Sequence, residues 1–132
     1  MSIVVRAETD EIPCALSEIE ECLRSEGFSK EGILDIQLAI EEAITNTIRY
    51  GYAGAIGTIA IRCTAEPDKA TVEIADDAPA FDPLAVPEPD LSTDLDDRPI
   101  GGLGIFLIRQ VMDEVVYRFD DNKNILVLVK KR

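Results

Sequence analysis

The chain has 132 residues, 46% of them hydrophobic and 30% charged. That suits one soluble domain, able to bury roughly two-thirds of its unfolded surface around a single core. Asp and Glu number 26 against 13 Lys and Arg, and the formal charge of −13 argues against nucleic acid or an anionic membrane surface as partner. The chain has no histidine, hence no imidazole base, no His-ligated zinc, no Ser-His-Asp triad and no phospho-accepting histidine. Its chemistry rests on carboxylates, amides, backbone groups or a hard metal ion.

Ser2–Glu8 is rich in Val and Ile and reads as a strand. Asp10 is placed to cap a helix running to about Glu26, with Pro13 in its first turn and Gly27 ending it. Ile12, Leu16, Ile19 and Leu23 recur along it at helical spacing, with Glu18, Glu20 and Glu21 elsewhere. Cys14, Cys22 and Cys63 are an odd set without C-x-x-C spacing and read as free thiols of a reducing cytosol. Ser29 caps a second helix, in which Ile33, Ile36, Ile40, Ala43, Ile44 and Ile48 form a wide apolar stripe that Gly51 stops. The period then changes to two. Thr58–Cys63 turns Ile59, Ile61 and Cys63 to one side, Glu66 to Lys69 is a turn, and Ala70–Ala75 is the partner strand of a hairpin.

From Ala78 to Gly102 no period survives. This stretch holds Pro79, Pro83, Pro87, Pro89 and Pro99 and the acids Asp82, Glu88, Asp90, Asp94, Asp96 and Asp97. A structureless run of that length inside a compact domain marks a functional loop. Leu103–Met112 is helical again, followed by strands Glu114–Phe119 and Asn124–Lys130 around an Asp-Asn-Lys turn. The order β-α-α-β-β-loop-α-β-β predicts a single α+β domain over 1–132: a two-layer sandwich with a mostly antiparallel sheet of about five strands and three helices on one face. No apolar leader segment begins the chain. The apolar runs Ile105–Ile108 and Ile125–Val129 are too short to span a bilayer, so the expected location is the cytoplasm.

Three constellations carry chemistry. Glu42 and Asn46 are four apart on the second helix, which sets their Cβ atoms about 5–6 Å apart on one face. Thr45-Asn46-Thr47 is a run of poor helix formers inside a strongly periodic helix, a local rule broken where function is expected; a solvated polar face is the plain alternative. Asp76 follows Val72 and Ile74 to the apolar side of its strand, where a carboxylate needs donors, unless the strand has already ended and Asp76 opens a turn. Gly101, Gly102 and Gly104 lead into a helix, where free N–H groups and the helix dipole favour an anion; alone, such glycines serve equally as a hinge. No Gly-Lys-Ser/Thr follows, so this is not a P-loop. The third glycine of a dinucleotide fingerprint is missing too.

Taken in order, Leu38-Ala-Ile-Glu-Glu-Ala-Ile-Thr-Asn46, Asp76-Asp-Ala-Pro-Ala-Phe-Asp-Pro83 and Gly101-Gly-Leu-Gly-Ile-Phe-Leu-Ile108, continuing into Met112-Asp-Glu-Val-Val-Tyr117, resemble the histidine-kinase-like ATPase superfamily, and within it the anti-sigma-factor serine kinases. The likeness runs over essentially the whole chain. It implies ATP and Mg²⁺ as cofactors. By that likeness Asn46 holds the magnesium and Glu42 is the general base, with Glu41 the less favoured neighbour. Arg49 and Arg98 contact phosphate, and Asp76 accepts a hydrogen bond from the adenine amine. Ala78, Gly101, Gly102, Leu103 and Gly104 line the nucleotide's path, and Leu84–Pro99 forms a lid. The family's Asp-x-Gly reads Asp76-Asp77-Ala78 here, and the acids of the lid repel phosphate unless they face solvent or a partner. The implied protein substrate is a serine on a small anti-sigma-factor antagonist, the implied second partner is a sigma factor, and the implied assembly is a homodimer. The alternatives are a regulatory module that holds ATP and a partner without phosphotransfer, and an acidic interaction domain that binds no nucleotide.

Overall fold

The computed structural model describes residues 1–85 and 102–132. Five strands form one antiparallel sheet in the order β1-β2-β3-β5-β4, with β1 Ser2–Arg6, β2 Thr58–Ala65, β3 Lys69–Asp76, β4 Glu114–Asp120 and β5 Lys123–Lys131. Helices α1 (Ile12–Ser25), α2 (Lys30–Asn46) and α3 (Gly102–Val111) cover one face, with α2 packed against both of the others. The expected sandwich is the one that forms. Its core is the inward set of each strand, such as Ile59, Ile61, Val72, Ile74 and Leu128, against Ile19, Leu23, Ile36, Ile40, Ile44 and Ile108 from the helices. Each such side chain contributes about 1.5–3 kcal/mol by leaving water, against about 0–1 kcal/mol for an exposed ion pair, so the apolar layer holds the fold.

Local chemistry explains the ends of these elements. Asp10 does not cap α1: it lies inside a 3-10 turn, Thr9–Glu11, that runs straight into the helix, so its residues already have helical backbone and no side chain caps the start. The buried stripe of α1 is Ile12, Ala15, Ile19 and Leu23, with Leu16 at its edge rather than its centre. Gly27 ends the helix at φ +80°, with Gly27 N–H donating to Arg24 O and Phe28 N–H to Leu23 O, while Phe28 and Leu23 close the core behind them. Ser29 Oγ accepts from Gly32 N–H at 3.0 Å, as expected of a cap. Asp121 and Asn122 both take positive φ, 53° and 60°, which is the two-residue turn that matches the twist of the β4–β5 hairpin.

One departure matters for the site. The regular part of α2 stops at Asn46 and the chain continues as a single π-helical turn, Thr47–Gly51. The widening begins within the Thr45-Asn46-Thr47 run, and such bulges are frequent at functional positions.

Candidate nucleotide site

Glu42 and Asn46 project from the last turn of α2 toward the start of α3. Gly104 sits against both: a Cβ added there would lie 3.0 Å from Glu42 Oε2 and 3.3 and 3.4 Å from the Asn46 amide atoms. Only a residue without a side chain lets α3 come this close. Burial raises the Glu42 carboxyl above its ordinary value, the neighbouring Glu41 raises it further, and the Arg49 charge opposes both. A carboxylate tuned upward is suited to accept a proton near neutral pH. Asn46 is buried at 8% exposure, and among the described residues its side chain has no hydrogen-bond partner. A buried amide without a partner costs free energy unless a ligand or ion completes it. Its oxygen is the donor type that Mg²⁺ takes.

On the sheet, Asp76 is the last residue of β3 and keeps the alternation, facing inward beside Ile74. It pairs across the ladder with Asn124, the second residue of β5. Asn124 Nδ2 donates to Asp76 Oδ1 at 2.9 Å, and Ala78 N–H donates to the same oxygen at 3.0 Å. Burial nevertheless dominates and raises the Asp76 carboxyl, with the two bonds opposing it. Alanine in place of the family's glycine at 78 carries no strain, because the only non-glycine residues with positive φ among those described are Ala53, Asp121 and Asn122. The turn after Asp76 is tied down by Tyr52, whose hydroxyl accepts from Asp77 N–H at 3.0 Å and donates to Thr58 O at 2.6 Å.

Between these groups lies a narrow cavity of about 20 Å³ that opens to the surface. Asn46, Thr47, Asp76 and Asn124 are its polar points; Ile74, Ile105, Ile108, Leu126, Phe81 and Tyr117 supply apolar and aromatic walls. Apolar walls with a few fixed polar groups are the lining chemistry that a flat heteroaromatic ligand takes. Of the residues singled out by sequence, Asn46 and Asp76 line it, while Glu42 and Gly104 stand beside Asn46. Ala78 lies behind Asp76 rather than on the wall. Arg49 is exposed on the π-helical turn, and Tyr50 beside it places its ring 6.4 Å from that of Phe81. Gly102 and Leu103 fall in the first turn of α3. Arg98, Gly101 and nearly all of the 84–100 lid lie outside the described residues. No three Asp, Glu or Cys side chains converge to hold a metal among the described residues. No helix among them is long and apolar enough to cross a membrane.

Sequence reasoning missed Asn124, Tyr117 and Tyr52. The signal for Asn124 was present: in the period-two pattern of β5 it shares a face with Leu126 and Leu128, a polar residue at a core position. Tyr52 gives no such sign, since its two bonds join segments that only the fold brings together.

The family model for the histidine kinase-like ATPase domain matches residues 5–130, and the chain belongs to that family. Within it, the chain is 33% identical over 106 residues to the serine-protein kinase RsbW of Listeria monocytogenes serovar 1/2a, covering 76% of this chain and 68% of that protein. It is 32% identical over 106 residues to the RsbW of Listeria innocua, with the same shares. Identity is 31% over 105 residues to that of Bacillus cereus, covering 76% of this chain and 66% of the relative.

Proposed function

We propose that this protein is a Mg-ATP-dependent serine/threonine kinase of the anti-sigma type. It transfers the γ-phosphoryl group to a serine of a small anti-sigma-factor antagonist, and it binds a sigma factor in its other state, acting as a homodimer in the cytoplasm. The observation that carries the reading is the convergence of Glu42, Asn46 and Gly104 at the edge of a cavity floored by Asp76 and Asn124. Three relatives named serine-protein kinase support the choice of reaction.

In this reading Asp76 accepts a hydrogen bond from the exocyclic amine of adenine while the apolar walls enclose the ring. The backbone N–H groups at the start of α3 face the phosphates, where the helix dipole favours negative charge. Asn46 would hold Mg²⁺ through its amide oxygen, and the ion would supply neutralisation of the phosphate charge. Glu42 accepts the proton of the serine hydroxyl, its raised carboxyl keeping the acceptor near the range where proton transfer is efficient. The Arg49 charge partly offsets the rise of the Glu42 carboxyl, and its guanidinium is the group offered to phosphate. Phosphoryl transfer asks for positioning and charge neutralisation more than covalent chemistry, and this small set of groups provides both.

The test has two parts. Calorimetry with Mg-ATP reports binding: no heat between micromolar and millimolar nucleotide removes every ATP-dependent reading. Incubation with γ-labelled ATP and an antagonist protein then separates the kinase from a module that only holds nucleotide: label on a serine is expected, and none on any antagonist that forms a complex with the protein would leave the module.

A further inference from the structure

The Asp76 carboxylate is held through one oxygen. Both bonds that reach it among the described residues, from Asn124 Nδ2 and Ala78 N–H, end on Oδ1. Oδ2 is therefore the acceptor left for a ligand, the group that an amino-bearing purine edge requires. This arrangement lasts only while Asn124 turns its NH₂, and not its carbonyl, toward Asp76. The two ends of a side-chain amide have nearly the same shape, so packing alone does not choose between them. Two donors on the far side do choose. Phe81 N–H at 3.0 Å and the Tyr117 hydroxyl at 2.6 Å both donate to Asn124 Oδ1. Nδ2 in turn also meets the carbonyls of Ala78 and Pro79, at 3.0 and 3.1 Å. A flipped amide would set oxygen against three acceptors and nitrogen against the Phe81 N–H, and the Tyr117 hydroxyl would have to turn from donor to acceptor.

We propose that Tyr117 and Asn124 form a relay that sets base selection in this cavity. By locking the amide they hold Asp76 as an acceptor, and so favour a purine with a 6-amino group over one with a 6-oxo group. The relay rests on the nucleotide-binding reading above. Both are positioning residues: they act on the base through Asp76. The Tyr117 hydroxyl sits in partly buried surroundings that disfavour its ionised form, so it remains a donor across the working pH range.

The experiment is calorimetry with Mg-ATP and with Mg-ITP, which differ at that 6-position, on the parent, Asn124→Asp and Tyr117→Phe, with the melting temperature of each. Asn124→Asp keeps the size of the side chain and its acceptor toward Phe81 and Tyr117. It sets a second carboxyl against Asp76 and so favours protonation of the pair; when Asp76 carries that proton on Oδ2, its O–H donates to a 6-oxo group. The parent should prefer ATP by about tenfold or more, since a site built to hydrogen-bond an amine rejects the analogue that lacks it. The ATP-to-ITP ratio should fall about tenfold in Asn124→Asp and about threefold in Tyr117→Phe, where one of two orienting bonds remains. A merely structural role lowers both affinities together and leaves the ratio in place; an unchanged ratio in the folded variants overturns the relay. If Asn124→Asp does not fold, Tyr117→Phe decides alone, because it removes one hydroxyl from a half-buried ring. A parent that binds neither nucleotide ends the nucleotide reading and the relay together, whereas a selective parent with equally selective variants ends the relay only.

Discussion

Gly104→Ala tests the contact on which the proposed reaction depends. The added methyl would lie 3.0 Å from Glu42 Oε2 and 3.3 and 3.4 Å from the two amide atoms of Asn46. Glu42 is half-buried and its carboxylate is the end of a flexible chain, so it yields by rotating away. Asn46 is buried and does not yield, so α3 must shift by a few tenths of an ångström as well. The fold tolerates this: alanine in a helix gains up to about 1 kcal/mol over glycine, against about 1–3 kcal/mol for crowding a packed site. A net loss of at most about 2 kcal/mol lowers the melting temperature by less than about 10 °C in a domain of this size. The reaction is less forgiving, because a misplacement of about 1 Å at the reacting groups costs about a hundredfold in rate. Single-turnover transfer of labelled phosphate to the antagonist should therefore drop about a hundredfold while circular dichroism stays that of the parent. Gly32→Ala is the control, since its methyl would meet only Ser29 Oγ at 3.2 Å and Phe28 Cδ1 at 3.6 Å, away from the site. A folded Gly104→Ala protein that transfers phosphate at the parental rate would refute the placement of the reaction between α2 and α3.

Four further substitutions follow from the same geometry. Glu42→Gln should slow transfer by about 10²–10⁴-fold with Mg-ATP affinity nearly unchanged. As the proposed base, Glu42 works only when ionised, so kcat/KM should rise with pH through its raised value and then level off. Arg49→Ala removes the charge that opposes the rise and should move that acidic limb to higher pH; a limb that stays put contradicts the pairing. Asn46→Ala removes a buried amide that has no partner among the described residues, so the melting temperature should hold or rise while Mg²⁺ no longer strengthens ATP binding. Asp76→Asn removes a carboxyl whose folded value lies above its unfolded one, and ionising such a group weakens the fold as pH rises through the folded value. The variant should therefore melt higher than the parent at pH 7, lose that advantage as pH falls below the ordinary carboxylate range, and bind Mg-ATP poorly; melting curves at pH 7 and pH 3 with calorimetry check all three.

The elements themselves were legible because each is written in one clean period: the isoleucines of α2 at helical spacing, the alternation of β2 and β3, and the Asp-Asn turn of the β4–β5 hairpin. The spacing of Glu42 and Asn46 was equally plain, since i and i+4 share a face on any helix. Asp10 misled because an acid two residues before a helical stripe looks like a cap, whereas a preceding 3-10 turn already supplies the backbone direction. The π-helical turn was signalled only as a fault, three poor helix formers in a good helix. The Asn124–Tyr117–Phe81 cluster required the sheet order, which joins β3 to β5 across a long excursion, and no local pattern encodes that pairing.

The distribution of buried polar groups argues that the ligand is part of the structure's design. Among the described residues only Asn46, Asp76 and Asn124 are both polar and buried, and all three line one cavity. Asn124 is fully engaged, Asp76 retains one oxygen and an unfavourable burial, and Asn46 has no hydrogen-bond partner among the described residues. A chain shaped for stability alone would have apolar residues at such positions, as it does at Ile74 and Ile105 beside them. The unmet polar demand is thus confined to the place where a purine amine and a hydrated metal ion would answer it. By linkage, a ligand that binds only the folded chain returns that cost, about 2.7 kcal/mol at a hundred times its dissociation constant. If the demand of Asn46 is for the metal, that stabilisation divides into a part that needs Mg²⁺ and disappears in Asn46→Ala, and a part that needs the base and disappears in Asp76→Asn.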